Sequence, residues 1–355
     1  MCRYFHGAHF YSCRSKPPHP PEFICCARLL LLWRRFFVCH YTHGKEVFGL
    51  KRVLTLLLVV AILGISLAAC APAEKSANTT DRSNNAILVP DKVEKIVSMA
   101  AATTRILVDL GLGDKLVAVD TYSALNLPAE QSASIVQLDM MAPDLEQLSA
   151  LQPDILFVSE LSSAGQEDIY ASLREAGVCV AEIPTPSTVD GVFEDVLFIA
   201  NCTGKSAEGE KIVTEARARL EKIAQMLEGV EERPKVYYEV SPAPDCYTTG
   251  TGTYMNELIE LAGGVNIFAE QEGWLAVSEE TIVSAQPDVI FTGVDFLPDP
   301  VGDIKDRAAW KELPALRNDK VVFIDPQDSQ QPTHHIVDAI EIMLEVLHPY
   351  PELAT

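Results

Sequence analysis

The chain has 355 residues, of which 28 are basic and 50 acidic, so its formal net charge at pH 7 is −22. Hydrophobic residues make up 48% of it, which is enough for a sizeable core and excludes a mainly disordered or collagen-like protein. The acidic balance argues against a nucleic-acid-binding protein, because such a protein needs a basic surface.

The first 69 residues differ in composition from the rest of the chain. They hold nine of the 28 basic residues but only two of the 50 acidic ones, and five of the nine cysteines lie in the first 40 residues. Residues 1–49 show no periodic hydrophobic pattern. We interpret them as a mis-annotated or non-native extension, with translation beginning near residue 50. A genuine Cys/His-rich extension that binds metal is the alternative.

Residues 50–69 are predicted to be a lipoprotein signal peptide. Lys51-Arg52 precede 17 uncharged, mostly apolar residues, which is the order of charge and hydrophobicity in a signal peptide. The motif Leu67-Ala68-Ala69-Cys70 resembles a bacterial lipobox. A retained membrane anchor is the alternative, but 17 residues are short for a hydrocarbon core about 30 Å thick.

On this interpretation Cys70 becomes the lipidated N-terminus, and its lipid is the only covalently bound group. The protein is then extracytoplasmic and held at the cell membrane by its lipid. Residues 70–89, in which Ala, Ser, Asn and Thr are frequent, are predicted to form a flexible tether.

From residue 90 onward, short apolar strands alternate with helices. Strands are predicted at residues 95–99, 116–119, 154–158 and 178–183, and helices at residues 104–110 and 166–176. This alternation is typical of a parallel, doubly wound α/β sheet. Apolar residues at positions 212, 216, 220, 223 and 227 then mark one face of a helix over residues 205–232.

The strand and helix pattern restarts after this long helix. A strand is predicted at residues 236–240 and a helix at residues 254–261. Residues 146–157 match residues 280–291 at a constant offset, with Glu, Gln, Pro, Asp and Phe identical. The predicted fold class is therefore α/β, with two doubly wound, Rossmann-like lobes (residues 90–204 and 234–355) bridged by one long α-helix (residues 205–233).

These motifs together resemble the substrate-binding lipoproteins of ABC importers for iron chelates and cobalamin, over about residues 90–350. The resemblance is carried by residues 96–98, 145–146, 152–154, 257–268, 278–280, 286–290 and 321–325. It implies two lobes with a rigid helix between them, capture of a small metal chelate, and delivery to a permease dimer and its ATPase.

The resemblance also implies a docking role for two carboxylates. Glu146 and Glu280 match the positions at which family members contact Arg residues of the two permease subunits. The alternative is that each is simply a solvated carboxylate that the helix dipole favours at a helix start.

Ligand contacts are expected on loops at the carboxyl ends of the strands, facing the cleft between the lobes. The candidates are Met99, Tyr122 and Ser159 in the first lobe, and Tyr247, Thr249, Thr251, Tyr254, Trp274, Phe296, His334 and His335 in the second. Aromatic side chains offer flat faces to a macrocycle. Because these loops lack the Lys/Arg cluster that an anionic ferric chelate needs, we predict a corrinoid such as cobalamin ahead of haem or a ferric siderophore.

Two other functions fit the sequence less well. A bare metal-ion-binding protein would need three or four converging ligands. After residue 69 the histidines are His334, His335 and His348, and because adjacent histidines rarely converge we assign no metal site. A chelatase-like metal-inserting enzyme on a similar two-lobe fold is the other alternative. We recognise no catalytic motif in the sequence after residue 69, so no catalytic residue is assigned. Cys179 and Cys202 are expected to be buried thiols.

Overall fold

The computed structural model describes residues 77–160 and 168–349. The extension, the signal peptide and Cys70 lie outside the described residues. No helix of the described part is long and apolar enough to cross a membrane.

The first lobe is built on a five-stranded parallel sheet with strand order β5-β4-β3-β6-β7. The strands are β3 (Ile96–Ser98), β4 (Leu116–Asp120), β5 (Val136–Leu138), β6 (Ile155–Ser159) and β7 (Cys179–Ile183). The helices are α1 (Ala101–Asp109), α2 (Ala129–Ser132), α3 (Leu145–Leu151), α4 (Ala171–Glu175) and α5 (Val189–Cys202). Strand β3 is buried at every position, as its continuous apolar run predicts.

The second lobe is built on a parallel sheet with strand order β10-β8-β12-β13. The strands are β8 (Lys235–Glu239), β10 (Val265–Asn266), β12 (Val289–Thr292) and β13 (Val321–Phe323), with a separate antiparallel pair of β9 (Tyr247–Thr249) and β11 (Trp274–Ala276). The helices are α7 (Tyr254–Leu261), α8 (Glu279–Ala285), α9 (Pro300–Asp306), α10 (Pro314–Arg317), α11 (Pro326–Ser329) and α12 (Ile336–Leu347), which follow α6 (Ser206–Met226). The predicted α/β fold class with two parallel-sheet lobes is confirmed.

Helix α6 joins the two lobes. Its 21 residues span about 30 Å. Gly209 lies so close to Ala200 of α5 that a Cβ atom there would approach the Ala200 Cβ to 2.5 Å. At the other lobe, the Arg219 guanidinium pairs with Asp338 of α12 at 2.5 Å. The helix ends at Met226, earlier than predicted, and the chain turns at Gly229, where φ is +78°.

Residues 77–89 form a hairpin instead of the predicted end of a flexible tether. Strands β1 (Ala77–Thr80) and β2 (Ala86–Val89) pair antiparallel. The Asp81 carboxylate closes the turn by accepting hydrogen bonds from the backbone N–H groups of Ser83 and Asn85, at 3.0 and 2.8 Å. The prediction was wrong here because Asn, Ser and Asp are as frequent in tight turns as in linkers.

The lobes share a continuous apolar core. It includes residues of both sheets together with Val213, Ala216 and Ile223 of α6 and Ile340 of α12. Cys179, Cys202 and Cys246 are buried free thiols, as expected for the first two. Burial raises the pKa of the Cys179 thiol to about 11.

Candidate functional site

A cavity of about 240 Å³ lies at the carboxyl edge of the first lobe's sheet. Its lining comes from the loops that follow the parallel strands, from α5 and from one segment of the second lobe. The lining residues are Ala100, Ala101, Ala102, Thr103, Ile106, Asp120, Tyr122, Met140, Ser159, Ile183, Pro184, Thr185, Pro186, Asp195, Ile199, Gln330, Gln331 and Pro332. Because all carboxyl ends of a parallel sheet meet at one edge, five successive loops contribute to one site.

Tyr122 and Ser159, both predicted from sequence, line this cavity. Tyr122 is 67% exposed, so its ring is available to a ligand. The turn that carries it is held by Asp120, whose Oδ1 accepts hydrogen bonds from the backbone N–H groups of Tyr122 (2.9 Å) and Ser123 (3.1 Å). Asp120 is fully buried and serves to position the tyrosine.

The second lobe closes one side of the cavity through Gln330, Gln331 and Pro332. The Asn126 amide of the first lobe donates to the Gln331 Oε1 at 3.1 Å and to the Ala101 carbonyl at 2.8 Å. Two residues from different lobes are thereby joined at the mouth of the site. The segment Ile183, Pro184, Thr185 and Pro186 was not among the predicted ligand contacts, although its position at the end of strand β7 is a signal that could have identified it.

Three predicted ligand contacts are buried in the core instead. Met99 is fully buried in a cluster with Leu148 and Leu156. The Thr249 hydroxyl pairs with that of Thr253, the N-cap residue of α7. Tyr254 is 1% exposed. Met99 follows β3, Thr249 ends β9 and Tyr254 begins α7, but position along the chain does not reveal that their side chains point inward.

The remaining aromatic candidates form a separate surface on the second lobe. Tyr247 and Trp274 are 38% and 37% exposed, and their rings are stacked with 3° between their planes and 6.5 Å between centroids. The buried Tyr254 supports Trp274 edge-on at 6.2 Å. Thr251 and Phe296 are exposed. None of these residues is among those that line the cavity.

The cavity lining includes two acidic residues, Asp120 and Asp195, and neither Lys nor Arg. Asp195 also pairs with Arg82 of the hairpin, Nε to Oδ1, at 2.5 Å. Burial raises the pKa of the Asp195 carboxyl to about 6, and Arg82 acts in the opposite direction. Such a lining disfavours a ligand with dense negative charge.

His334 and His335 are not part of the cavity lining. The Nε2 atoms of both approach Oδ2 of Asp109, at 3.6 and 3.0 Å. Asp109 ends α1, eight residues and about 12 Å along the helix from Ala101 in the cavity. The expectation that adjacent histidines do not converge was wrong, because a carboxylate of the other lobe brings them together.

Glu146 and Glu280 occupy equivalent positions in the two lobes. Each is the second residue of its helix, after the N-cap residues Asp144 and Ser278. Both side chains are exposed.

The helices that carry these glutamates also end alike. Each ends at a Gln in the left-handed conformation, Gln152 with φ 50° and Gln286 with φ 53°. The aspartates that follow, Asp154 and Asp288, each accept a hydrogen bond at 2.9 Å from a backbone N–H at the start of the lobe's first sheet strand. The donors are Lys95 and Lys235, respectively. The sequence repeat is therefore a structural repeat.

Two α/β lobes that share a bridging helix, with a cavity at the strand ends, define a two-lobed substrate-binding protein. Residues 96–328 match the family described as periplasmic binding protein, and the chain belongs to that family. It is accordingly a substrate-binding transport protein and not an enzyme.

Similar proteins occur in Bacillus subtilis and Vibrio cholerae. The chain is 28% identical over 276 residues to the uncharacterized ABC transporter substrate-binding lipoprotein YvrC of Bacillus subtilis, covering 76% of this chain and 84% of that protein. It is 30% identical over 254 residues to the vitamin B12-binding protein of Vibrio cholerae, covering 71% and 88%. The crystal structure of the periplasmic vitamin B12 binding protein BtuF of Vibrio cholerae matches with a TM-score of 0.60 and 28% identity, covering 72% of this chain and 96% of that chain.

Proposed function

We propose that this protein captures a metal-chelate macrocycle, a corrinoid such as cobalamin in the first place, and delivers it to an ABC importer. The observation that carries the proposal is a strand-end cavity lined by apolar, uncharged polar and acidic residues, without Lys or Arg, and with the exposed Tyr122 at its edge. The similarity to vitamin B12-binding proteins supports the same ligand class.

Cations near the two lobes' strand ends are already paired with carboxylates. Arg307 is bound to Glu239 at 2.5 Å and to Asp303 at 2.7 Å. Arg105 is bound to Asp328 at 2.8 Å. A polyanionic ferric chelate would have to break these pairs, whereas a corrinoid would not.

The cavity is smaller than a typical ligand site of roughly 300–1,000 Å³ and cannot enclose a whole corrinoid. We therefore assign it to one edge or side group of the ligand. The flat face of the macrocycle would rest on exposed aromatic rings, with Tyr122 in one lobe and Tyr247, Trp274 and Phe296 in the other.

Titration of the purified protein with cyanocobalamin, haemin and ferrichrome tests this assignment. We expect saturable calorimetric heat with cyanocobalamin and quenching of Trp274 fluorescence. Replacing Tyr122 by Ala should weaken binding about 5- to 150-fold, since stacking of a flat ring on an aromatic side chain contributes roughly 1–3 kcal/mol.

A matched control is Tyr170→Phe, which changes a tyrosine that is buried in the first lobe and does not line the cavity. Its affinity for cyanocobalamin should stay near that of the wild type. Saturable binding of ferrichrome or haemin, without heat or quenching from cyanocobalamin, would reverse the proposed order of ligands.

Lipid anchoring at Cys70 and permease docking through Glu146 and Glu280 are parts of the same proposal. The equivalent placement of the two glutamates supports docking, because two exposed carboxylates on corresponding helices can contact a two-fold-symmetric basic surface.

A further inference from the structure

A cluster of histidine and carboxylate side chains lies between the lobes, away from the cavity. Asp109 belongs to the first lobe, and His334 and His335 to the second. One ligand atom of each lies within 4.8 Å of the others. Their side chains are 30%, 17% and 26% exposed, so the cluster is half-buried and still reachable from solvent.

The distances within this cluster suit a common metal ion. Ligand atoms about 2.0–2.1 Å from a tetrahedral zinc ion are roughly 3.4 Å apart. The Nε2 atoms of His335 and His334 lie 3.0 and 3.6 Å from Oδ2 of Asp109. Small rotations of the side chains would place all three ligand atoms around one ion.

A second carboxylate orients one of the imidazoles. His335 Nδ1 lies 3.1 Å from Asp338 Oδ2, and Asp338 is held by Arg219 at 2.5 Å. A carboxylate on the far nitrogen of a ligating histidine is the usual outer partner in metal sites, because it fixes the tautomer and the ring orientation. An imidazole with carboxylates at both nitrogens needs either a second proton or a cation at one of them.

The charge around the cluster is negative. The carboxylates of Asp328, Asp338 and Glu341 pair with the guanidinium groups of Arg105 and Arg219, and the Asp109 carboxylate lies against the two imidazoles. Four negative and two positive groups leave a charge of −2 when both imidazoles are neutral. A divalent cation compensates this charge, and imidazole with carboxylate favours zinc, nickel or copper over magnesium or calcium.

We propose that Asp109, His334 and His335 form a binding site for a divalent transition metal of the zinc type at the seam between the lobes. Asp338 positions His335, and a water molecule completes the coordination. The ion would link the end of α1 to the start of α12 and fix the angle between the lobes. The site is independent of the proposed chelate ligand.

Calorimetric titration with Zn²⁺ and absorption spectroscopy with Co²⁺, on untagged protein treated with a chelator, test the site. We expect one site that is lost in Asp109→Asn and His335→Gln, with affinity reduced at least 100-fold. Asp338→Asn should weaken it about 10- to 100-fold, as removal of an outer partner does. The Co²⁺ difference spectrum between wild type and Asp109→Asn should lack a sulfur charge-transfer band, because no thiol belongs to the site.

Residues 1–49 contain five Cys and five His, which could bind metal themselves. Metal bound there would be the same in the wild type and the variants, so only the difference in Zn²⁺ binding between them reports on this site. Asp114→Asn is the matched control, since this exposed carboxylate lies just beyond α1; it should bind Zn²⁺ like the wild type. Zn²⁺ should also raise the Tm of the wild type, because an ion that binds only the folded state stabilises it. The Tm of Asp109→Asn should not change with Zn²⁺, and its melting transition would show that the variant is folded but does not bind the ion. Equal Zn²⁺ affinity and equal Tm shifts in wild type and Asp109→Asn would overturn the proposal, whatever the outcome with cyanocobalamin.

Discussion

Arg82 is one of the residues that join the N-terminal hairpin to the first lobe. Its Nε donates to the buried Asp195 at 2.5 Å and its Nη2 pairs with Glu194 at 2.8 Å. Asp195 also lines the cavity, so the pair connects the hairpin to the wall of the ligand site. Removing Arg82 would leave a buried carboxylate without its cation, which costs more than the pair itself contributes.

We expect Arg82→Ala to lower the free energy of unfolding by about 1.5–3 kcal/mol at pH 7.5, the usual range for a hydrogen bond to a charged group. Burial already raises the pKa of Asp195 to about 6, above the value of roughly 4 in unfolded chains, and loss of Arg82 raises it further. A group with a raised folded pKa adds stability below its unfolded pKa and loses it as the pH rises through the folded pKa. The deficit of the variant should therefore shrink between pH 7.5 and pH 5.

Urea unfolding at both pH values measures this effect. Arg217→Ala is the matched control, because Arg217 pairs with Asp190 on the surface, where the two side chains are 54% and 75% exposed. Its effect should be small at both pH values. A deficit in Arg82→Ala that grows on acidification would contradict the role assigned to Asp195.

Helices α3 and α8 have the same start and end signals in their sequences and therefore form the same element in both lobes. In each, a capping Asp or Ser starts the helix and a left-handed Gln ends it before a Pro-Asp turn. The cap satisfies free backbone N–H groups of the first turn. Glu146 and Glu280 are consequently presented on rigid elements at corresponding places.

We expect Glu146→Ala and Glu280→Ala each to leave chelate affinity unchanged and to weaken stimulation of the transporter ATPase. Loss of one charge-assisted contact costs about 1.5 kcal/mol or more, which is roughly 10-fold in affinity for the permease. Titration calorimetry and ATPase assays with the reconstituted transporter separate the two effects. Glu175→Ala removes another exposed carboxylate from the first lobe and should change neither. Loss of chelate binding with normal ATPase stimulation would show that docking is not their role.

For the molecule as a whole, the arrangement of the lobes favours small movements. They share an apolar core through α6 and α12, and the pairs Arg105–Asp328 and Asn126–Gln331 cross the seam. A closing motion would have to break these contacts. We therefore expect a largely pre-formed site, to which a rigid macrocycle is suited.

The anchoring of the whole molecule depends on the predicted lipobox. We expect Cys70→Ala to leave the precursor unprocessed and unlabelled by a palmitate analogue, because the acceptor thiol is lost. Metabolic labelling followed by electrophoresis detects both changes. Cys246→Ala, which removes a buried thiol of the second lobe, should still be labelled. Equal labelling of wild type and Cys70→Ala would exclude lipidation at this residue.

Elements with clear boundary signals were predicted well. Helix α7 was predicted at residues 254–261 and lies there, because Thr253 caps its start and Gly263 adopts φ +83° after its end. The hairpin at residues 77–89 and the antiparallel pair β9–β11 were not predicted. Short strands of this kind depend on partners that are distant in the chain or on turns that resemble linkers.

The sequence alone determined the alternation of strands and helices, the internal repeat and the family, since all three follow from local periodicity and from motifs of a few residues. Only the tertiary structure decided which side chains of those elements face the cavity: Tyr122 is exposed, whereas Met99 and Tyr254 are buried. It alone also brought Asp109 next to His334 and His335, more than 220 residues further along the chain. Such contacts depend on how two lobes pack against each other, and no local pattern along the chain encodes that packing.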